Sequence, residues 1–245
     1  MDYRKYRFTK KEWLICFLKT LVVCVIIAYL CYRSVWAMLS LPILFLVVLR
    51  REKKQKIAQR KEQLALEFKE AMQAVAGALT AGYSIENAWK EAQKEIHQLY
   101  GKTSYMEKEL AIINAKLELT QPLEQLLMDF SNRSGLEDIE SFCQVFVFAK
   151  RGGGDFVKII KTTVEQISDK LEIKREIATM IAAKKLEQKV MQTVPIFILL
   201  YLDLTSPEFL QVLYKNPLGI FIMSICLLLY VAAMLLAEKI VNISV

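Results

Sequence analysis

Four apolar stretches, at 13–32, 35–49, 190–204 and 218–237, stand in two pairs around a charged middle of the chain. Lipid offers the backbone no hydrogen-bond partners, so such stretches cross a membrane only as helices or closed barrels. A helix needs about 20 apolar residues to span roughly 30 Å of hydrocarbon. The first and last stretches approach that length. Interfacial flanks and local bilayer thinning accommodate the shorter second and third. Segregation into blocks also reconciles a hydrophobic share of 54% and a mean hydropathy of +0.28 with 24% charged residues.

The flanking charges orient the pairs. Arg4, Lys5, Arg7, Lys10 and Lys11 precede the first stretch, and Arg50, Arg51, Lys53, Lys54 and Lys56 follow the second. A single long span over 20–49 would bury Arg33 near the bilayer centre, at ~2.5 kcal/mol or more. It would also place one basic cluster outside, against the positive-inside tendency. A hairpin turning at Tyr32-Arg33-Ser34 keeps both clusters inside. Lys184, Lys185 and Lys189 before the third stretch, and Glu238-Lys239 after the fourth, orient the second pair alike. The connection "TSPEFLQVLYKNP" carries only Glu208 and Lys215 and belongs outside. The expectation is a multi-pass protein of the cytoplasmic (inner) membrane with both termini in the cytoplasm. Its parts are a basic arm over 1–12, a transmembrane hairpin over 13–49, a cytoplasmic helical domain over 50–189, a second hairpin over 190–237 and a tail over 238–245. No small-x-small cleavage pattern follows the first stretch, which reads as a membrane segment. The net charge of +7 reports this topology, since basic residues crowd beside the apolar stretches, and no nucleic-acid partner is expected.

The middle of the chain carries helical periodicity and no convincing strand, so the fold class is all-α. Leu64, Phe68, Met72, Val75 and Leu79 recur at steps of three and four, as do Met106, Leu110, Ile113 and Leu117. Ile139, Phe142 or Cys143, Phe146 and Ala149 form a third stripe, and Val157, Ile160, Val164, Ile167 and Leu171 a fourth. Each reads as bundle core. Turn chemistry separates the helices. Gly82 ends one and Ser84 caps the next. Pro122 suits a first helical position, where its missing N–H is no loss. Gly135 marks a break, with acidic residues in the following first turn. About six helices result, a bundle large enough for its own core. From Asp155 to Gln188 no glycine or proline interrupts, so a long helix is expected to lead into the third stretch.

Motifs that suggest chemistry fail on context. "RGGGDFVKII" lacks the lysine of a P-loop and follows an amphipathic helix rather than a strand. Asp155 is expected to cap the next helix, with Gly152, Gly153 and Gly154 supplying positive-φ freedom and close packing at the corner. "YGKTS" also follows an amphipathic helix, and Ile96 stands where the first P-loop glycine would be. His97 is the one histidine. Of five cysteines, Cys143 stands alone in the middle and no C-x-x-C occurs, so neither a disulfide framework nor a Cys/His metal site is expected. No catalytic set and no cofactor are read from the chain, which is expected not to be an enzyme.

Charge layout is more informative. Basic residues gather at Arg50 to Lys61 and at Lys170, Lys174, Arg175, Lys184, Lys185 and Lys189, where anionic headgroups would favour them. The segment 107–140 is acidic and is expected to face away from the membrane. It serves either as a solubilising surface or as a docking face for a basic partner. The docking candidates are Glu124, Asp129, Glu137, Asp138 and Glu140.

Two stretches resemble a known family. "AVAGALTAGYSIENAWKEA" is similar to the small-turn-helix element of the type II secretion F domain, and "FAKRGGGDFVKIIKTTVEQI" to that domain's later Gly-Gly-acidic element. The resemblance spans roughly 64–195, and the flanking membrane pairs match the platform proteins of the Flp (Tad) pilus machinery. One departure falls in "LTQPLEQLL", where Gln121 replaces a frequent glycine. The resemblance implies a non-enzymatic inner-membrane platform that engages a cytoplasmic secretion or pilus ATPase and helps move pilin or pseudopilin subunits from bilayer to filament. It also implies assembly as a homo-oligomer or beside a paralogous platform partner. Rival readings are a transporter or channel subunit, for which Lys19 and Pro195 are the only mid-membrane hints, and a membrane-tethered signalling protein.

Overall fold

The computed structural model describes residues 2–4, 6, 8–29, 41–152, 155–206 and 216–241. The hairpin turn expected at 32–34, the outer loop over 207–215, and Gly153 and Gly154 lie outside the described residues. Among those described the chain is all-helical, with eight helices and no strand. In order these are α1 (Lys10–Ile27), α2 (Leu41–Thr80), α3 (Ile85–Tyr100), α4 (Tyr105–Glu118), α5 (Leu123–Ser134), α6 (Glu137–Gly152), α7 (Phe156–Thr205) and α8 (Pro217–Val241).

The chain forms two compact units, Met1–Arg7 with Lys53–Ile173, and Phe8–Glu52 with Lys174–Val245. The first is a six-helix body made from the later part of α2, α3 to α6 and the start of α7. α3 packs on α4, α4 on α5, and α5 on α6. The apolar stripes read from the sequence meet in one core. Leu64, Phe68, Met72, Val75 and Leu79 of α2 are buried with Met106, Leu110 and Ile113 of α4, Phe142, Cys143 and Phe146 of α6, and Ile160, Val164 and Ile167 of α7. An aromatic ladder runs through it. Phe68 meets Phe130 at 6.3 Å and Phe142 at 5.5 Å, and Phe146 meets Trp89 at 6.4 Å and Phe156 at 5.3 Å. These rings tie α2, α5, α6, α3 and α7 together, each pair adding about 0.5–1.5 kcal/mol beyond its burial.

Local chemistry sets the corners of this body. Beyond Thr80 the chain turns left-handed at Gly82 (φ +88°), with Gly82 N–H bonded to Leu79 O and Tyr83 N–H to Ala78 O. That pair of bonds is a Schellman closure. Ser84 then accepts the Asn87 N–H at 3.3 Å and starts α3. Gly135 ends α5 in the left-handed region (φ +62°), and its carbonyl takes a 2.8 Å bond from Lys61. Asp155 caps α7 through a 3.1 Å bond from the Lys158 N–H.

Two sequence expectations change. Pro122 is the N-cap of α5 and not its first helical residue, with extended ψ (128°) and a carbonyl that accepts from Gln125 and Leu126. The left-handed residue of that turn is Thr120 (φ +60°), one position before Gln121. Gly152 closes α6 without a positive φ, and a Cβ there would meet nothing within 4 Å, so it provides neither strain relief nor close packing. The start of the basic arm also packs into this body. Tyr3 and Tyr6 are buried in the helical body, and Arg60 lies 4.3 Å over the Tyr6 ring.

The second unit holds α1, the start of α2, the later part of α7 and α8. Trp13 and Phe17 of α1 set their rings edge-on against Phe45 of α2, and Lys19 pairs with Glu52 at 2.8 Å. Arg51 of α2 pairs with Glu238 of α8 at 3.2 Å, and the Tyr230 hydroxyl of α8 donates to the Gln192 carbonyl of α7. Many of its large apolar side chains are exposed, among them Trp13, Leu18, Phe197, Tyr201, Phe221 and Leu228. Among the described residues one helix is long and apolar enough to cross a membrane, Leu218–Ile240, with 23 residues and a mean hydropathy of 2.7. α1 as described carries Lys10, Lys11, Glu12 and Lys19, and the apolar end of α7 is interrupted by Gln192, Thr193 and Asp203. The expected second stretch, 35–49, falls partly outside the described residues.

Candidate functional site

The acidic docking candidates all lie on the helical body, but they are not equivalent. Asp138, in the first turn of α6, is 8% exposed, and Lys170 of α7 donates to it at 2.6 Å. Glu124, in the first turn of α5, receives Lys150 of α6 at 2.9 Å, and that hydrogen bond holds its carboxyl below the ordinary range despite partial burial. Both carboxylates are therefore internal braces between helices. Asp129 is half exposed and bonded along α5 to Arg133 at 3.1 Å. The Glu137 side chain is 86% exposed and stands 3.9 Å from Lys170. Glu140 is exposed, with a long 3.5 Å bond from Gln144. Asp129, Glu137 and Glu140 are thus the candidates that face solvent.

Two carboxylates of the body are buried outright, and neither stood among the docking candidates. Glu109 of α4 is 1% exposed and held by a forked pair of 2.8 Å bonds from Arg133, with the Tyr3 hydroxyl donating to the same Oε1 at 3.0 Å. Glu67 of α2, also 1% exposed, accepts from the Ser104 hydroxyl at 2.8 Å, the Met106 N–H at 2.9 Å and the Gln63 amide at 2.9 Å. Its charge therefore sits against the N-terminal end of α4, where helix amides favour an anion. A signal for both existed. Glu67 lies three residues after Leu64, and Glu109 three after Met106, on the stripes that form the core.

The two glycine motifs are helix corners. "YGKTS" joins α3 to α4, with the Gly101 N–H closing on His97 O and the Ser104 hydroxyl accepting from the Glu107 N–H. In the second, α6 runs to Gly152, so a helix stands where a phosphate loop requires a strand. His97 is half exposed, 3.5 Å from Glu107. Cys143 is buried and donates to Leu127 O at 3.3 Å, and burial pushes its thiol up to about 12. Among the described residues no three His, Cys, Asp or Glu side chains gather as metal ligands would.

Two open grooves mark the body. One of about 640 Å³ lies between α3 and α4, bordered by Lys90, His97, Asn114 and Glu118. The other, of about 620 Å³, lies between α5 and α6 and is lined by Glu124, Met128, Gln144, Val147, Phe148 and Arg151. Phe148 is 74% exposed. No family model, curated protein or solved structure matches the chain.

Proposed function

We propose that this chain is a multi-pass membrane platform for assembling a pilus-type filament, with its helical body engaging an ATPase in the cytoplasm. The observation that carries the reading is the division of labour between the two units. One closes a full apolar core and shows charged residues outward, while the other leaves large apolar side chains exposed along α1, α7 and α8. Exposed apolar surface on that scale calls for a membrane or another apolar partner. The hydroxyls within those helices fit lipid surroundings. Thr20, Thr193, Thr205 and Ser224 each donate to the carbonyl four residues earlier, at 2.7–2.9 Å, which satisfies the group within its own helix.

The motif resemblance supplies the direction of the proposal, since both stretches that carry it fall at corners of the helical body. Asp129 and Glu137 are the carboxylates offered to a basic surface of the ATPase. The platform reading is tested by purifying the tagged chain from its own membrane after mild cross-linking. A hexameric ATPase and pilin-like subunits are expected in the complex, and the absence of both would sink the reading. Paired Asp129→Asn and Glu137→Gln substitutions should weaken ATPase recruitment several-fold while leaving the helical content unchanged. Unaltered recruitment removes the acidic contact from the proposal.

A further inference from the structure

The outer face of α6 carries a polarity of its own. Glu137, Glu140, Ser141, Gln144, Phe148 and Arg151 are all exposed and recur at steps of three and four, so they form one stripe. The stripe is acidic at its N-terminal end, apolar near Phe148 and basic at Arg151. The other charges nearby are engaged within the body, Asp138 by Lys170 and Lys150 by Glu124. Beside the stripe runs the groove between α5 and α6, whose lining includes Met128 and Val147.

We propose that this face pairs with the same face of a second copy of the chain, the two α6 helices lying antiparallel about a two-fold axis. Glu140 of each copy then stands opposite Arg151 of the other, and Phe148 of each enters the other's α5–α6 groove. The charge pattern selects this occupant. A stripe that is negative at one end and positive at the other complements itself when reversed, whereas a parallel arrangement sets like charges side by side. Glu140 and Arg151 are eleven residues apart, about 16 Å along the helix, so both pairs form at once and bracket the two Phe148 rings. Side-by-side antiparallel helix dipoles attract, which favours the same arrangement. A single helix face is smaller than the ~800 Å² per partner of a stable soluble complex, so the pairing belongs to copies held at high local concentration. It goes beyond the platform reading and stands without it.

The test uses full-length chains in liposomes, labelled with donor or acceptor fluorescent proteins at the C-terminus and read by energy transfer at several lipid dilutions. Glu140→Arg alone and Arg151→Glu alone should each weaken pairing at least about tenfold, since each sets like charges together twice. Mixing the two single variants should restore it, because in the mixed pair one contact keeps its native Glu140–Arg151 sign and the other forms with its sign reversed. Phe148→Ser should weaken pairing with the helical circular dichroism unchanged. Wild-type transfer in either single variant overturns the proposal, as does failure of the mixture to recover. An ATPase that binds both single variants normally leaves the pairing reading intact, so the two proposals fail separately.

Discussion

The Tyr3 hydroxyl and two Arg133 guanidinium nitrogens converge on the Glu109 carboxylate, with Tyr3 and Arg133 sharing Oε1 at 3.0 and 2.8 Å. Tyr3 also donates its backbone N–H to Arg133 O at 3.1 Å and sets its ring edge-on against Tyr105. The start of the chain is thereby a stopper over a buried ion pair.

That relationship gives graded expectations. Tyr3→Phe keeps the ring and loses a hydrogen bond to a charged group, so it should destabilise by about 1.5 kcal/mol. Tyr3→Ala also opens the core and should destabilise by about 3 kcal/mol. Glu109→Ala leaves Arg133 without its main partner and should cost about 3 kcal/mol. Urea unfolding of the detergent-solubilised chain, followed by helical circular dichroism, measures all three. Equal stability of Tyr3→Ala and wild type would show that the stopper contributes nothing.

Neighbouring carboxylates at the start of α6 should behave oppositely. Asp138→Asn weakens a mostly buried brace to Lys170 and is expected to lower stability by about 1–2 kcal/mol. Glu137→Gln changes an exposed side chain and should stay within about 0.5 kcal/mol. The same unfolding curves decide it.

Thr120 holds φ at +60° in an exposed turn, a conformation that a β-branched residue adopts only under strain. Thr120→Gly relieves roughly 1–2 kcal/mol of that strain and gives back about 0.5–1 kcal/mol in unfolded-chain entropy. A net gain of about 0.5–1 kcal/mol is expected. A loss on thermal unfolding would mean that the turn is not under strain.

Two buried acids shape the alkaline limb of stability. Burial, and then the charge of Glu140, raise the Cys143 thiol from its ordinary 9.0 to about 12. Burial and then Glu109 push the Tyr3 phenol above its ordinary 10.0. Both groups stay protonated in the folded state while the unfolded chain ionises. Their contribution is whole below about pH 9 and falls as pH rises, by up to about 1.4 kcal/mol per pH unit for each group. Unfolding at pH 8 and 10.5 should therefore differ by about 3 kcal/mol, and Cys143→Ala should flatten most of the decline. Disulfide-exchange labelling at pH 8 gives a second readout, with Cys143 reacting only after urea is added. Rapid labelling of the folded chain would contradict its burial.

What could be read from the chain was whatever depends on near neighbours. The stripes Leu64–Leu79 and Ile160–Leu171 follow from helical periodicity, and the corners at Gly82, Ser84, Gly135 and Asp155 from cap chemistry that acts within five residues. Glu67, Glu109 and Tyr3 were missed because their partners include residues 24 to 106 positions away. In sequence a glutamate among lysines looks solvated; its place on an apolar stripe hints at burial, but nothing local says that an arginine from another helix will cover it.

The amino-acid order by itself determined an all-helical chain with apolar and charged residues kept in separate blocks, because periodicity and hydropathy are properties of a segment alone. Only the tertiary structure decided which carboxylates face water. Burial of a charge depends on whether a partner arrives from elsewhere to meet it, as Lys170 does for Asp138 and as no helix of the body does for Glu137 to the same degree.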